Sequence, residues 1–345
     1  MMCQKQRNKN VVYGRLAEGF TLVELMIALL LGSLVIAGVG SVFLANQNAY
    51  RTNVALGEVQ ESARTSFEFL ARELRSAGAN PCGTVSVASV LNAGGDSMLY
   101  SSGPVEGWED ATTVNELPDS GTGVPVAGGD AVRLSSVRDA GLQLESGTGP
   151  RANVKLENPT KAIKADDILM LCDVNKATIF QVTGYNSSNK TVGHNTGTSS
   201  PGNQTKCLNH PVPQPNSATG SDCTNFKPSS YLAVPTNYIW YVGENDAGGR
   251  SLYRYGRGQE ATSSTAEMVR GVWEMNITYH EQGDDGYVDA DDVSAWESVD
   301  AVRLELTVRS GGFGPGGARG AGTDNQPLER AFTTTVALRN QLNNN

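Results

Sequence analysis

The chain has 345 residues and a formal charge of −9, with 39 glycines, five cysteines and three histidines. That length allows one large or two small domains with a real core, and abundant Gly with many Asn, Ser and Thr points to a β-rich, loop-rich body. The acidic balance argues against nucleic acid as a partner, because phosphate binding draws on clustered Lys and Arg.

Lys5, Arg7, Lys9 and Arg15 against Glu18 give residues 1–19 a charge of about +3, leaving about −12 on the remainder. Residues 25–44 carry no charge, about the length that crosses ~30 Å of hydrocarbon as a helix. Under the positive-inside rule the basic segment stays cytoplasmic and the C-terminal bulk crosses the membrane. A secretory signal is cut after its apolar run and loses it. Here the candidate cut, between Gly19 and Phe20, comes first, so the apolar run stays as the new N-terminus. The one charge at the head of that run is Glu24. A lone carboxylate in lipid costs about 2.5–3.5 kcal/mol and calls for a partner. Cutting after Gly19 supplies one, since the freed α-amino group of Phe20 sits one helical turn away. In a staggered array of parallel helices, Glu24 of one subunit meets the Phe20 amine of its neighbour where water is excluded.

Gly19-Phe20-Thr21-Leu22-Val23-Glu24, with its basic leader and following apolar run, resembles the cleavage motif of type IV prepilins and pseudopilins. The resemblance implies removal of residues 1–19 by an aspartyl prepilin peptidase/N-methyltransferase, N-methylation of Phe20, and docking into a growing filament guided by Glu24. It divides the chain into the leader (1–19), the membrane half of a long helix (20–44), an amphipathic periplasmic half (45–78) and a β-rich globular domain (79–345).

Beyond residue 44, Leu56, Val59, Ala63, Phe67, Leu70, Leu74 and Ala77 recur at steps of three and four, the period of an amphipathic helix. Glu68 and Arg72 stand at i, i+4 in the favourable order. Gly78 and Asn80-Pro81 form a stop signal. A single helix over 20–77 would be about 87 Å long. Gly32, Gly38 and Gly40 in its membrane half either allow close helix contact or are simply tolerated in lipid. Strand-like runs follow at 131–137, 167–172, 178–183, 238–242, 251–255, 272–279, 302–308 and 332–338. Alternation in Trp273/Met275/Ile277/Tyr279, Val302/Leu304/Leu306/Val308 and Phe332/Thr334/Val336/Leu338 predicts half-buried antiparallel strands, with the helix stripe as their cover. The fold expected is α+β, a long N-terminal helix packed on an antiparallel sheet with large loop insertions. Residues 184–230 read as a long polar excursion rather than a second core. The glycine-rich run 311–322 reads as a loop and lacks the Gly-Lys-Ser/Thr ending of a phosphate site.

Four cysteines remain after the leader: Cys82, Cys172, Cys207 and Cys223. An even number in an exported domain suggests two disulfides. Three connectivities are open, and Cys207–Cys223, closing a short Pro-rich loop, with Cys82–Cys172 is the pairing favoured. Cys207, His210, Cys223 and His194 offer a rival zinc set, which export to an oxidising compartment disfavours. Asp284, Asp285, Asp289, Asp291 and Asp292 crowd five carboxylates into a short stretch and are candidate Ca²⁺ ligands, though without the EF-hand spacing. The rival reading is a solvated acidic turn. No Ser/His/Asp or Cys/His pattern stands out, so no cofactor and no enzymatic activity are expected. Trp240, Trp273 and Trp296 with Tyr238, Tyr241, Tyr253 and Tyr255 read as core rather than as an adhesive surface.

The C-terminal half narrows the resemblance. Phe332-Thr-Thr-Thr-Val-Ala-Leu-Arg339-Asn340, Ser251-Leu-Tyr-Arg254, the stretch 272–279 with its Asp/Gly-rich loop, and Trp296 followed by Val299-Asp300-Ala301-Val302-Arg303 are similar to PilW-type minor pilins. That resemblance implies a single-pass inner-membrane protein whose C-terminal domain is periplasmic before assembly and lies on a surface pilus afterwards. It implies partnership with other minor pilins, the major pilin, the inner-membrane assembly platform and a tip adhesin, with a role in priming assembly at or near the filament tip. Two alternatives stay open: a J-type minor pseudopilin of type II secretion, and a pilin-like surface adhesin.

Overall fold

The computed structural model describes residues 19–83, 87–92, 104–145, 153–174, 176–196, 201–208, 226–257, 264–311 and 326–341. They fall into two compact units, the first ending at Tyr50 and the second beginning at Arg51. Helix α1 (Leu22–Ser76) contributes to both. In the first unit the apolar side chains from Leu22 to Leu44 are exposed. This is one helix long and apolar enough to cross a membrane.

The second unit is α+β. Its strands are β1 (Val87–Ser89), β2 (Val105–Trp108), β3 (Ala131–Gln143), β4 (Asn153–Lys155), β5 (Ile168–Asp173), β6 (Lys176–Gln181) and β7 (Gly184–Asn186). Then come β8 (Thr191–Gly193), β9 (Tyr231–Glu244), β10 (Arg250–Arg257), β11 (Ser264–Arg270), β12 (Val272–Glu281), β13 (Val299–Arg309) and β14 (Glu329–Ala337). They form an eight-stranded sheet around β9, a three-stranded sheet β12-β13-β14 and a small sheet β4-β8-β7. β9 carries β3 along one edge and shares the other between β10 and β5. Pairing among the described strands is antiparallel apart from β1 with β6.

The helix is covered by two sheets, not one. Val59, Ala63, Leu70, Ala71 and Leu74 share a single core with Val132, Leu134, Trp240 and Val242 of the large sheet. The same core takes Met275, Ile277, Val302, Leu304, Leu306 and Val336 of the β12–β14 sheet. Alternation in these strands is the reason they present one apolar face. Gly271 joins the two sheets between β11 and β12 with φ +85°, a backbone that L side chains rarely adopt. A Cβ there would stand 2.9 Å from the Arg309 carbonyl oxygen, so the turn from one sheet to the next fits glycine alone.

The buried stripe departs in detail from the sequence pattern. Ala55, Ser62 and Ser66 are buried, whereas Leu56 is 37 % exposed. Ser66 satisfies its hydroxyl by donating to the Ser62 carbonyl at 2.7 Å, the back-bond that lets serine sit inside a helix. Glu68 pairs with Arg64 at 3.0 Å rather than with Arg72, whose guanidinium lies over the Phe69 ring. The helix ends at Ser76, and Gly78 turns left-handed at φ +72°. Asn340 Nδ2 donates to the freed Ala77 carbonyl at 2.9 Å. A further tie is Glu73–Arg254 at 3.4 Å.

Residues 184–230 are not bare of core, contrary to the expectation of a polar excursion. Val192 and Leu208 join Phe180, Leu232 and Val234 in a second apolar cluster, and β7 and β8 are two of the three strands of the small sheet. Of the aromatic group, Trp240, Tyr241 and Tyr253 are buried, while Trp273, Trp296, Tyr238 and Tyr255 are only partly so. The glycine-rich stretch lies outside the described residues from 312 to 325.

Because Leu70 is fully buried and Leu56 is not, Leu70→Ala should cost about 2–5 kcal/mol. Leu56→Ala should cost under about 0.5 kcal/mol. Chemical denaturation of the two variants against the parent measures both.

Candidate functional site

The N-terminal site is built by the first turn of α1. Thr21 precedes the helix and its Oγ1 accepts from the Glu24 backbone N–H at 3.2 Å. This is the Ser/Thr-x-x-Glu arrangement of a helix start, a signal present in the sequence that the reading of Glu24 as a docking charge left unused. Phe20 is 84 % exposed, and among the described residues nothing comes within 4 Å of a Cβ placed at Gly19. The Glu24 carboxylate has no hydrogen bond or ion pair among the described residues. Gly19, Phe20 and Glu24 are thus brought together, exposed, at the head of an uncovered apolar helix.

The five aspartates fall in the connection between β12 and β13. Asp289 precedes a short 3₁₀ turn, Ala290–Asp292. The Asp291 N–H faces Glu109 Oε1 at 3.4 Å. Asp284 offers its backbone carbonyl, not its carboxylate, to His280 Nε2 at 2.9 Å. Among the described residues no three His, Cys, Asp or Glu side chains gather where they could hold a metal. The structure therefore does not bring the five carboxylates together.

Two residues at the end of β12, neither singled out by the sequence pattern, hold that connection. Glu281 is buried and accepts from Ser294 N, Ala295 N and Ser298 Oγ, each at 2.9 Å. Those donors hold its carboxyl below the usual carboxylate range. His280 Nδ1 meets Asp300 Oδ1 at 2.6 Å. Asp300 and the Asp284 carbonyl only accept, so the ring must carry both protons to serve both. The Asp300 carboxylate accordingly raises the His280 pKa above its ordinary value.

Nearby, Asp130 accepts from the Ile277 N–H at 2.5 Å. Burial, then the charges of Glu109, Asp289 and Glu274, push its carboxyl up to about 7, against the pull of that hydrogen bond. Arg133, with 9 % of its side chain exposed, bridges Glu106 at 2.5 Å and Glu116 at 2.8 Å beneath the Trp108 ring.

Cys82 and Cys172 are joined by a disulfide with Cα atoms 5.1 Å apart. Cys207 is also disulfide-bonded; Cys223, the partner favoured on sequence, lies outside the described residues, as does His210. His194 is fully buried, edge-on to Phe180, with neither ring nitrogen hydrogen-bonded among the described residues. Burial lowers its pKa to about 4, so it sits there as a neutral core residue.

Compared with known proteins, residues 239–340 match the family described as Type IV Pilus-assembly protein W. Residues 15–40 match the prokaryotic N-terminal methylation motif. Neither the curated proteins nor the solved structures yielded a match.

A folded-state carboxyl raised above its unfolded value adds stability below the unfolded pKa and loses it as pH climbs through the folded one. Asp130→Asn, which keeps an acceptor for Ile277 N–H, should therefore gain about 1–2 kcal/mol over the parent at pH 8 and nothing at pH 4. The gain is smaller than burial alone would give because solvent reaches the half-buried group. Urea titrations at the two pH values measure it. For His280 the contribution is present at low pH and lost as pH rises through its raised pKa. Asp300→Asn should return the imidazole toward its ordinary value in an NMR titration, and the parent should lose amide protection over 282–298 as the ring deprotonates.

Proposed function

We propose that this chain, a type IV pilin-like protein of the PilW type with a minor-pilin role, is cut after Gly19, methylated at Phe20 and docked through Glu24 to help prime pilus assembly. The observation that carries this reading is a carboxylate four residues from Phe20, without hydrogen bond or ion pair among the described residues, at the head of a helix whose apolar side chains from Leu22 to Leu44 are all uncovered. In hydrocarbon that charge is costly, and the Phe20 α-amine of a neighbouring subunit, at the same depth, neutralises it. Thr21 caps the helix through the Glu24 N–H and leaves the carboxylate available to that neighbour.

The chain is a membrane-anchored pilus protein with one spanning helix. In our reading the basic leader faces the cytoplasm and the second unit faces the periplasm. Its partners are other minor pilins, the major pilin and the inner-membrane assembly platform, and its processing enzyme is the prepilin peptidase. A place at or near the filament tip suits a subunit with three sheets and long connections, because a terminal position does not repeat that bulk along the shaft. The protein acts by binding and carries out no reaction of its own.

Mass spectrometry of the mature N-terminus tests this directly. The parent should begin with N-methyl-Phe20. Glu24→Ala should be cut normally, since the scissile bond lies at Gly19, yet enter sheared pili at least ~tenfold less well. Protein recovered with its leader intact from cells bearing normal pili would overturn the reading.

A further inference from the structure

A cleft of about 550 Å³ opens on the second unit, far in sequence from the N-terminal motif. One wall is Tyr231, at the start of β9, together with Pro81. The Tyr231 phenol donates to the Pro81 carbonyl. Pro81 runs into Cys82, the disulfide carries the chain to Cys172, and Cys172 pairs with Tyr231 across β5 and β9. The wall is therefore a closed ring of covalent and hydrogen-bonded links.

The floor comes from an irregularity in β3. Between the pairs Asp139↔Ala233 and Leu142↔Leu232, β3 has two residues, Ala140 and Gly141, where β9 has none. Bulges of this kind re-aim side chains and concentrate beside functional clefts. Here the bulge is fixed by Asp139 Oδ1, which accepts from Gly141 N–H at 2.7 Å. Leu142, Gln143, Glu157 and Asn158 complete the lining, and the Glu157 N–H donates to the Gln143 carbonyl at 2.9 Å.

The chemistry of the lining selects a ligand class. Among the described residues no Lys, Arg or His lines the cleft, and Lys190 beside it is engaged by the Glu157 carbonyl and the Glu145 carboxylate. An anionic ligand finds no counter-charge there. The two carboxylates accept hydrogen bonds, while the two amides both donate and accept. A simple cation has no use for the amide donors, and an apolar ligand would strand all four polar groups. A ligand with several hydroxyls on an otherwise apolar ring uses all of them and can rest on the Tyr231 ring and Pro81. The volume lies within the usual range for small-ligand sites.

We propose that this cleft is a binding site for a neutral saccharide, held by Asp139, Glu157, Gln143 and Asn158 against Tyr231. The site does not depend on the minor-pilin reading. It would give a pilus-borne subunit a contact with glycan.

The test uses the full chain in a detergent without a sugar headgroup, with maltotriose, cellotriose and chitotriose as probes in saturation-transfer NMR. At least one should receive saturation at millimolar concentration. Its Kd should rise about tenfold in Glu157→Gln, an exposed change that leaves the fold intact, and at least as much in Tyr231→Ala. Tyr231→Phe keeps the ring and should retain more binding than Tyr231→Ala. The proposal fails if none of the three probes binds, if binding survives Glu157→Gln and Tyr231→Ala unchanged, or if spermidine displaces the sugar at equal concentration.

Discussion

One helix has to satisfy two surroundings, and the rest of the molecule follows from that. Up to Leu44 its side chains, apart from Glu24, Ser33 and Ser41, are apolar on every face and exposed, which in water would be untenable and in hydrocarbon is favourable. From Ala55 onward only a stripe is apolar, and Leu70 and Leu74 along it are completely enclosed. Each such leucine contributes about 1.5–3 kcal/mol on burial. The large sheet and the β12–β14 sheet share that one seam, so both are organised by the same few turns of helix, with Gly271 as the corner between them.

Several carboxylates are settled within the fold. In an acidic chain the costly arrangement is several carboxylates near one another, and each cluster here has its own resolution. Arg133 is divided between Glu106 and Glu116. Glu281 is saturated by three donors from a single connection. Asp130 has Ile277 N–H but no cation among the described residues, and burial sets its proton affinity high instead. The β12–β13 connection is thus held at its base by His280 and Glu281, while its aspartates face outward in turns.

What the sequence revealed depended on how local each signal was. The apolar run, the helix stripe and the alternating strands β12 and β13 repeat within a few residues, so periodicity exposed them. β1, β4, β7 and β8 are three residues each, too short for any period to register. Pairing partners were less readable: Glu68 had an arginine four residues away on either side, and only the fold decided for Arg64. The aspartate run in the sequence suggested a shared site, but its exposed carboxylates do not gather into a metal-holding group among the described residues. The motif at Gly19–Glu24 was readable because all its parts are contiguous. The cleft beside Tyr231 was not, since its lining comes from positions 81, 139–143, 157–158 and 231, and no linear pattern announces their meeting.

The amide of Asn340 closing the end of α1 orders events during synthesis. The helix emerges first, yet its last turn waits for a residue near the far end of the chain. Until that residue arrives the exposed carbonyls must be hydrated, and the seam beneath lacks Val336 and Leu338 as well. The last turn of the helix and the seam beneath it are thus complete only once residues 336–340 are in place.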